Sequence, residues 1–235
     1  MTWLRNILIL SAIAFVGWEG IAWWYFPTTS LNYKLAVDVN DNGAKYHGEG
    51  VVRIDFRCDG FLLKSGAPWT AGVGKGEAIT IDLGTKGLLF ILLPTTSGAG
   101  GLNTYFDFYV NDLPGDRNGL AAIEAFKTQR MSADIKLNAL PILVRFRDIN
   151  APNSIEQVFP DHLENSLGLG VMITLARASI TDEPVTTGIE RKLPHWFAVL
   201  RKSGARFDGD NSEITRSGAS LANLISTSEF QRIIP

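Results

Sequence analysis

Hydrophobic and polar residues along this chain change pattern abruptly near residue 27. Residues 7–26 read ILILSAIAFVGWEGIAWWYF, with Glu19 as the only charge. A helix of that length covers about 30 Å, the hydrocarbon thickness of a bilayer, so the run predicts one membrane-spanning helix. Beyond it the period drops to two. Leu31, Tyr33, Leu35, Val37 and Val39 alternate with polar or small residues; after a break, Val52, Ile54, Phe56 and Cys58 alternate with Arg53, Asp55 and Arg57. Alternation of this kind predicts two half-buried strands joined by a polar turn. Residues 66–76 are glycine-rich and read as an irregular, flexible loop. Ile79, Ile81 and Leu83 alternate again before Gly84-Thr85-Lys86-Gly87 turns the chain into the apolar run 88–93. This is a second hairpin, and a return strand without alternation is expected to be buried on both faces.

The second half mixes periods. Residues 94–101 read as a loop, and the aromatic stretch 105–110 is ambiguous. Leu120, Ile123, Phe126 or Lys127 and Arg130 have the spacing of a short helix after Asn118-Gly119. Residues 142–146 and 171–180 read as strands. Pro160 and Pro194 each precede sequence able to start a short helix, since proline fixes φ and lacks only an N–H that the first turn does not use. Residues 219–232 read as a weak terminal helix. The expected fold is therefore α+β and β-rich: an N-terminal transmembrane helix, then a mostly antiparallel sheet domain with a few short helices. The expected division is 1–27 anchor, 28–202 β-rich domain and 203–235 polar tail.

The flanks of the apolar run favour a membrane anchor. Trp18, Trp23, Trp24 and Tyr25 crowd its C-terminal end and Trp3 lies at the other, where aromatic rings prefer the headgroup layer. Pro27 then ends the helix. Glu19 costs about 2.5–3.5 kcal/mol at a bilayer centre, which apolar residues returning roughly 0.3–0.6 kcal/mol each offset. A cleaved signal peptide, with small residues at Ala12 and Ala14 or at Gly20 and Ala22, and a buried soluble helix are the alternatives. A short leader with Arg5 ahead of a first apolar segment stays cytoplasmic, so the large domain is expected outside the cytoplasm, periplasmic in a Gram-negative source.

Composition narrows the function classes. Lys plus Arg total 22 against 24 Asp plus Glu, a formal net charge of −2, which gives no electrostatic footprint for nucleic acid. Cys58 is the only cysteine, so the chain forms no internal disulfide, CxxC redox centre or cysteine zinc site. Its place on an alternating apolar face marks it as a small buried hydrophobe.

The apolar leader, the hairpin on YKLAVDV and VVRIDF, the segment LVRFRDINAP with VFPDHL, and TDEPVTTGI followed by LPHW together resemble membrane-anchored proteins of proteobacteria. The resemblance covers about residues 30–200. It implies an anchored extracytoplasmic domain and carries no activity or site residue with it.

The sharpest chemical motif runs from Asp38 to Glu49. Asp38, Asn40, Asn42, Gly43 and Glu49 match the spacing D-x-[DN]-x-[DN]-G-x5-E of a calcium loop, in which alternate oxygens and a closing glutamate cage the ion. The period-two flanks and Lys45 oppose it, and the competing reading is a polar hairpin turn whose Asn, Asp and Gly tolerate left-handed conformations. Gly72-Val73-Gly74-Lys75-Gly76-Glu77 lacks the leading glycine and the Ser or Thr of a phosphate loop. Gly168-Leu169-Gly170 lacks the third glycine of a dinucleotide fingerprint and reads as a turn. His47, His162 and His195 are scattered, a poor set for zinc. A catalytic reading has Asp148, Asp161, His162 and Glu164 in the long connection 148–167, where carboxylates and an imidazole supply general acid/base groups but no nucleophile is marked. The expected function is a binding or structural module of the bacterial envelope, held by its N-terminal helix in the inner membrane, with another envelope protein as a candidate partner and no cofactor beyond weak calcium. An envelope hydrolase using residues 148–164 is the alternative.

Overall fold

The computed structural model describes residues 26–58, 69–94, 116–209 and 220–232, together with scattered helical positions between Ile7 and Ile21. The described residues form two antiparallel sheets with a few short helices. The β-rich fold expected from alternation is present. Among the described residues no helix is long and apolar enough to cross a membrane. Much of the expected span at 7–26 and all of the aromatic stretch 105–110 lie outside the described residues.

Strands β1 (Thr28–Asp41) and β2 (Ala44–Cys58) pair without a slip from Thr28↔Arg57 to Asp41↔Ala44. Asn42 (φ 50°) and Gly43 (φ 96°) form the connection. Positive φ at both central residues is the two-residue turn whose twist matches that of paired strands. Leu31, Tyr33, Leu35, Val37 and Val39 face the core, and so do Val52, Ile54, Phe56 and Cys58. The break expected before Val52 is absent. Gly48 and Gly50 continue β2, because a Cβ there would come within 2.5 Å of Ile81 and 2.8 Å of Ile79 in the opposing sheet.

The flexible loop expected at 66–76 is corrected over its described part. Trp69–Glu77 is strand β3, paired with β2 from Arg53↔Lys75 to Cys58↔Trp69. Gly74 and Gly76 serve close approach rather than flexibility. A Cβ on Gly74 would lie 2.0 Å from an Asp55 carboxylate oxygen, and one on Gly76 would lie 2.9 Å from Val52. Register jumps from Arg53↔Lys75 to Ile54↔Val73, which leaves Gly74 as the extra residue of a β-bulge.

The remaining strands are β4 (Ile79–Asp82), β5 (Leu88–Ile91), β6 (Ser132–Asp134), β7 (Leu143–Phe146), β8 (Ile155–Val158), β9 (Val171–Thr181) and β10 (Gln231–Arg232). Among the described residues, one sheet has the order β10-β3-β2-β1-β9-β6 and the other β4-β5-β7-β8. Leu89 and Ile91 of β5 enter the core between the sheets, while Phe90 and Leu92 enter a second core on the far side. Helix α1 (Arg117–Gln129) starts where Asp116 accepts a hydrogen bond from the Asn118 amide (2.8 Å), and it buries Ile123 in the first core.

Helices α2 (Glu164–Leu167) and α3 (Trp196–Ser203) follow Pro160 and Pro194 as their sequences predict. The terminal helix expected over 219–232 is reduced to α4 (Leu221–Leu224). The chain then makes a 3-10 turn at Thr227–Glu229 and adds β10 to β3. Tertiary partners outweigh helical propensity here. Phe230 is fully buried with Phe207, Ala222 and Ile225 against Phe90, and its carbonyl accepts from the Ala78 amide (2.8 Å).

Candidate functional site

Asp38, Asn40, Asn42 and Glu49 lie on a hairpin and its turn, not on a helix-flanked loop. The Asn40 carboxamide oxygen accepts from the Gly43 amide (3.0 Å), and the Asn42 side chain donates to the Leu169 carbonyl (3.0 Å). Glu49 is drawn elsewhere, 3.5 Å from His47 Nε2 and 3.8 Å from Lys34. His47 Nδ1 is 2.6 Å from Asp38. That hydrogen bond holds the His47 imidazole above its ordinary range, opposed by partial desolvation and helped by Glu49. Among the described residues no group of three or more His, Cys, Asp or Glu side chains is arranged to hold a metal ion.

Asp148, Asp161, His162 and Glu164 are split by a strand that sequence reading missed. Asp148 closes the β7–β8 turn: its carboxylate accepts from the Asn150 amide (2.9 Å), and its own amide donates to Ser154 Oγ (3.0 Å). Strand β8 then intervenes before Asp161 and His162 in a 3-10 turn. His162 Nδ1 lies 3.5 Å from Glu164, with His162 exposed and Glu164 half-buried. Among the described residues no hydrogen bond or ion pair joins Asp148 to the other three.

A site that no motif announced lies on the polar face of the larger sheet, at the end where β1 begins. Paired residues in adjacent strands point to the same side, so register builds its floor in rows. Thr28, Arg57 and Thr70 form one row, and Ser30, Asp55 and Gly72 the next. Asn32, Arg53 and Lys75 form the third. The resulting groove has a volume of about 760 Å³ and is lined by Thr28, Ser30, Arg53, Asp55, Arg57 and Thr70 among others. Gly72 leaves it open, since nothing lies within 4 Å of where its Cβ would stand. Arg53 Nη2 donates to Asp55 (3.2 Å) and Nε lies 2.9 Å from the other carboxylate oxygen, but the buried Nε–H has no in-line acceptor. The described lining holds guanidinium, carboxylate and hydroxyl groups, and no imidazole or thiol.

Residues 182–188 cross the same sheet face as a strap. Glu183 binds Lys34 (2.5 Å), its carbonyl accepts from Asn32, and the Thr186 amide donates to the Val51 carbonyl (3.0 Å). Beyond the strap a smaller cavity of about 230 Å³ is lined by Glu77, Thr186, Gly188, Arg191 and Lys192. Glu77 is 5% exposed and accepts from the Ile189 amide and the Gln231 carboxamide, both at 2.7 Å. Gln231 in turn accepts from Arg201, which also pairs with Glu190. Both oxygens of Glu77 are spent on holding the strap and β10 to β3, so this carboxylate is structural. A strand position flanked by Gly76 and Ala78 offers no sequence signal for that role.

No protein-family model matches the chain, and neither does any curated protein or solved structure.

Proposed function

We propose that this chain is a binding module of the bacterial envelope, held in the inner membrane by residues 7–26 with its β-rich domain on the periplasmic side. The groove at the start of β1 carries the reading. It opens two residues after Phe26, the end of the apolar segment, and so lies close to whatever surface that segment is fixed in. Apolar helical positions in that segment support the anchor, because Phe15, Val16 and Trp18 are each more than 60% exposed and find no place in either core. Binding is favoured over hydrolysis by the separation of Asp148 from His162, which leaves the expected acid/base set unassembled.

The test is topological. Full-length protein should stay in the membrane fraction after carbonate washing, and protease added to spheroplasts should digest the domain while sparing residues 7–26. Soluble full-length chain in the cytosol would sink the reading.

A further inference from the structure

We infer that the cavity of about 230 Å³ beside the strap takes a small zwitterion, an α-amino acid with a short side chain. This is a second site, apart from the groove, and it does not depend on the membrane anchor. One pole is cationic. Arg191 closes the 3-10 turn Ile189–Arg191 and Lys192 follows it; both line the cavity and reach solvent. Among the described residues neither side chain has a hydrogen-bond or ion-pair partner. The Arg191 guanidinium is placed all the same. Its Nη2, Cζ and Nε lie 2.5, 3.1 and 3.2 Å from where a Gly188 Cβ would stand, so it rests on the bare backbone of Gly188, whose φ of 114° also calls for glycine. A guanidinium held there offers a carboxylate its parallel N–H donors, and Lys192 adds a point charge beside it.

The other pole is anionic. Glu49 lines the same cavity from β2, and its contacts to His47 (3.5 Å) and Lys34 (3.8 Å) are longer than the roughly 2.7–2.9 Å of a close charge-assisted hydrogen bond. Each of those cations is held more closely by another carboxylate, His47 by Asp38 (2.6 Å) and Lys34 by Glu183 (2.5 Å). Glu49 therefore keeps acceptor capacity for an ammonium group. Glu77 is the second carboxylate of the wall, already occupied by the Ile189 amide and the Gln231 carboxamide. Two cations and two carboxylates around one cavity favour a ligand with one charge of each sign. A simple anion meets the charge of buried Glu77, and a simple cation meets Arg191 and Lys192.

Size and hydroxyl chemistry agree. The volume lies below the roughly 300–1,000 Å³ of sites for drug-sized ligands. At about 30 Å³ for each water-sized group it holds about seven or eight of them, the scale of a short amino acid. Thr186 Oγ is committed to the Val51 amide (2.8 Å), but the Thr80 and Thr187 hydroxyls, which also line the cavity, make no hydrogen bond among the described residues. They supply further donors to a carboxylate.

The experiment follows backbone amide NMR shifts of the full chain in a nonionic detergent during titration with L-alanine. Propionate, which lacks the ammonium, and ethylammonium, which lacks the carboxylate, are titrated separately. Alanine should give saturable shifts at Gly50, Thr80 and Gly188 while Val37, in the middle of β1, stays unmoved. It should bind at least about ten-fold more tightly than either half-molecule, since each lacks one charge-assisted contact. Arg191→Gln and Glu49→Gln should each weaken alanine by about ten-fold or more. Lys202→Gln, which removes an exposed cation outside the cavity lining, should leave its affinity unchanged. An unchanged Val37 signal in a variant reports an intact sheet and separates loss of the site from loss of the fold. The half-molecule titrations use wild type alone, so they decide the matter even where a substitution disturbs folding. Absence of a saturable shift at about 10 mM alanine overturns the inference. So does propionate or ethylammonium binding as tightly as alanine, or an affinity that survives both substitutions. Because binding is read in detergent, it fails or holds independently of the carbonate and spheroplast result.

Discussion

His47 shows how a single side chain ties the polar sheet face together. Its hydrogen bond to Asp38 holds the imidazole above its ordinary value, so the folded state binds that proton more tightly than the unfolded chain does. The linked stabilisation is present in full below the unfolded value near 6.5 and fades as pH rises through the folded one. Both side chains are about half exposed, so solvent screening keeps the energy small and the titration itself is the better readout. NMR titration should find His47 shifted upward, and Asp38→Asn should bring it back toward 6.5; an unchanged midpoint would assign the shift to another group. Neighbouring positions on β2 give a sharper contrast. Ile54 is fully buried in the first core, and Ile54→Ala should cost about 2–5 kcal/mol in denaturant melts. Asp55, one residue on and partly exposed, pairs with Arg53, and Asp55→Ala should cost less than about 1 kcal/mol. Equal costs would mean that the two faces of β2 are not as different as its burial pattern shows.

At the level of elements, β3 is the piece on which the larger sheet turns. It carries glycine at Gly72, Gly74 and Gly76, so its apolar packing comes from Trp69 and Val73, and it is held from both sides as well. Strand β2 closes over Gly74 and Gly76, while Glu77 at its end receives the strap and β10. Glu77→Ala leaves the Ile189 amide and the Gln231 carboxamide without their acceptor. Each buried group so orphaned costs about 1–3 kcal/mol. The variant should melt earlier, and hydrogen exchange at the Ile189 amide should accelerate more than at Val37 in the middle of β1. Uniform acceleration at both amides would show that Glu77 acts on global stability alone and does not lock the strap locally.

For the molecule as a whole, β5 is the shared wall. One face supplies Leu89 and Ile91 to the core between the sheets, and the other supplies Phe90 and Leu92 to a core completed by Phe197, Phe207, Ala222, Ile225 and Phe230. Phe90, Phe146, Phe207 and Phe230 meet edge-on or tilted with ring centres 5.3–6.0 Å apart. Burying each such ring contributes about 1.5–3 kcal/mol, and a domain has only about 5–15 kcal/mol in all. A chain ending at residue 203 loses Phe207, Ala222, Ile225 and Phe230 together, and should lose its cooperative unfolding transition. A truncated chain that melts like the full one would make the C-terminal segment an appendage.

What local pattern settles here is whatever depends on near neighbours in the chain. The two hairpins, the inward parity of Ile54 and Phe56, the double burial of β5, α1, and the proline-started turns before α2 and α3 all follow from periodicity and from the backbone limits of Asn, Gly and Pro. Cys58 is buried, as its place on an apolar face implied. The rest was decided by residues far apart in sequence. Glycines of residues 72–76 read as a loop because a missing side chain carries no pattern; that Gly74 makes room for Asp55 and Gly76 for Val52 is visible only when β2 lies beside β3. Strand β8 was hidden because Ile155 and Val158 point into different cores, which leaves no alternation to see. The groove exists through register alone: Thr28, Arg57 and Thr70 share a row though they lie 13 to 42 residues apart in the chain. Distances in the chain fix which residues can turn together, but only pairing across strands fixes which can meet.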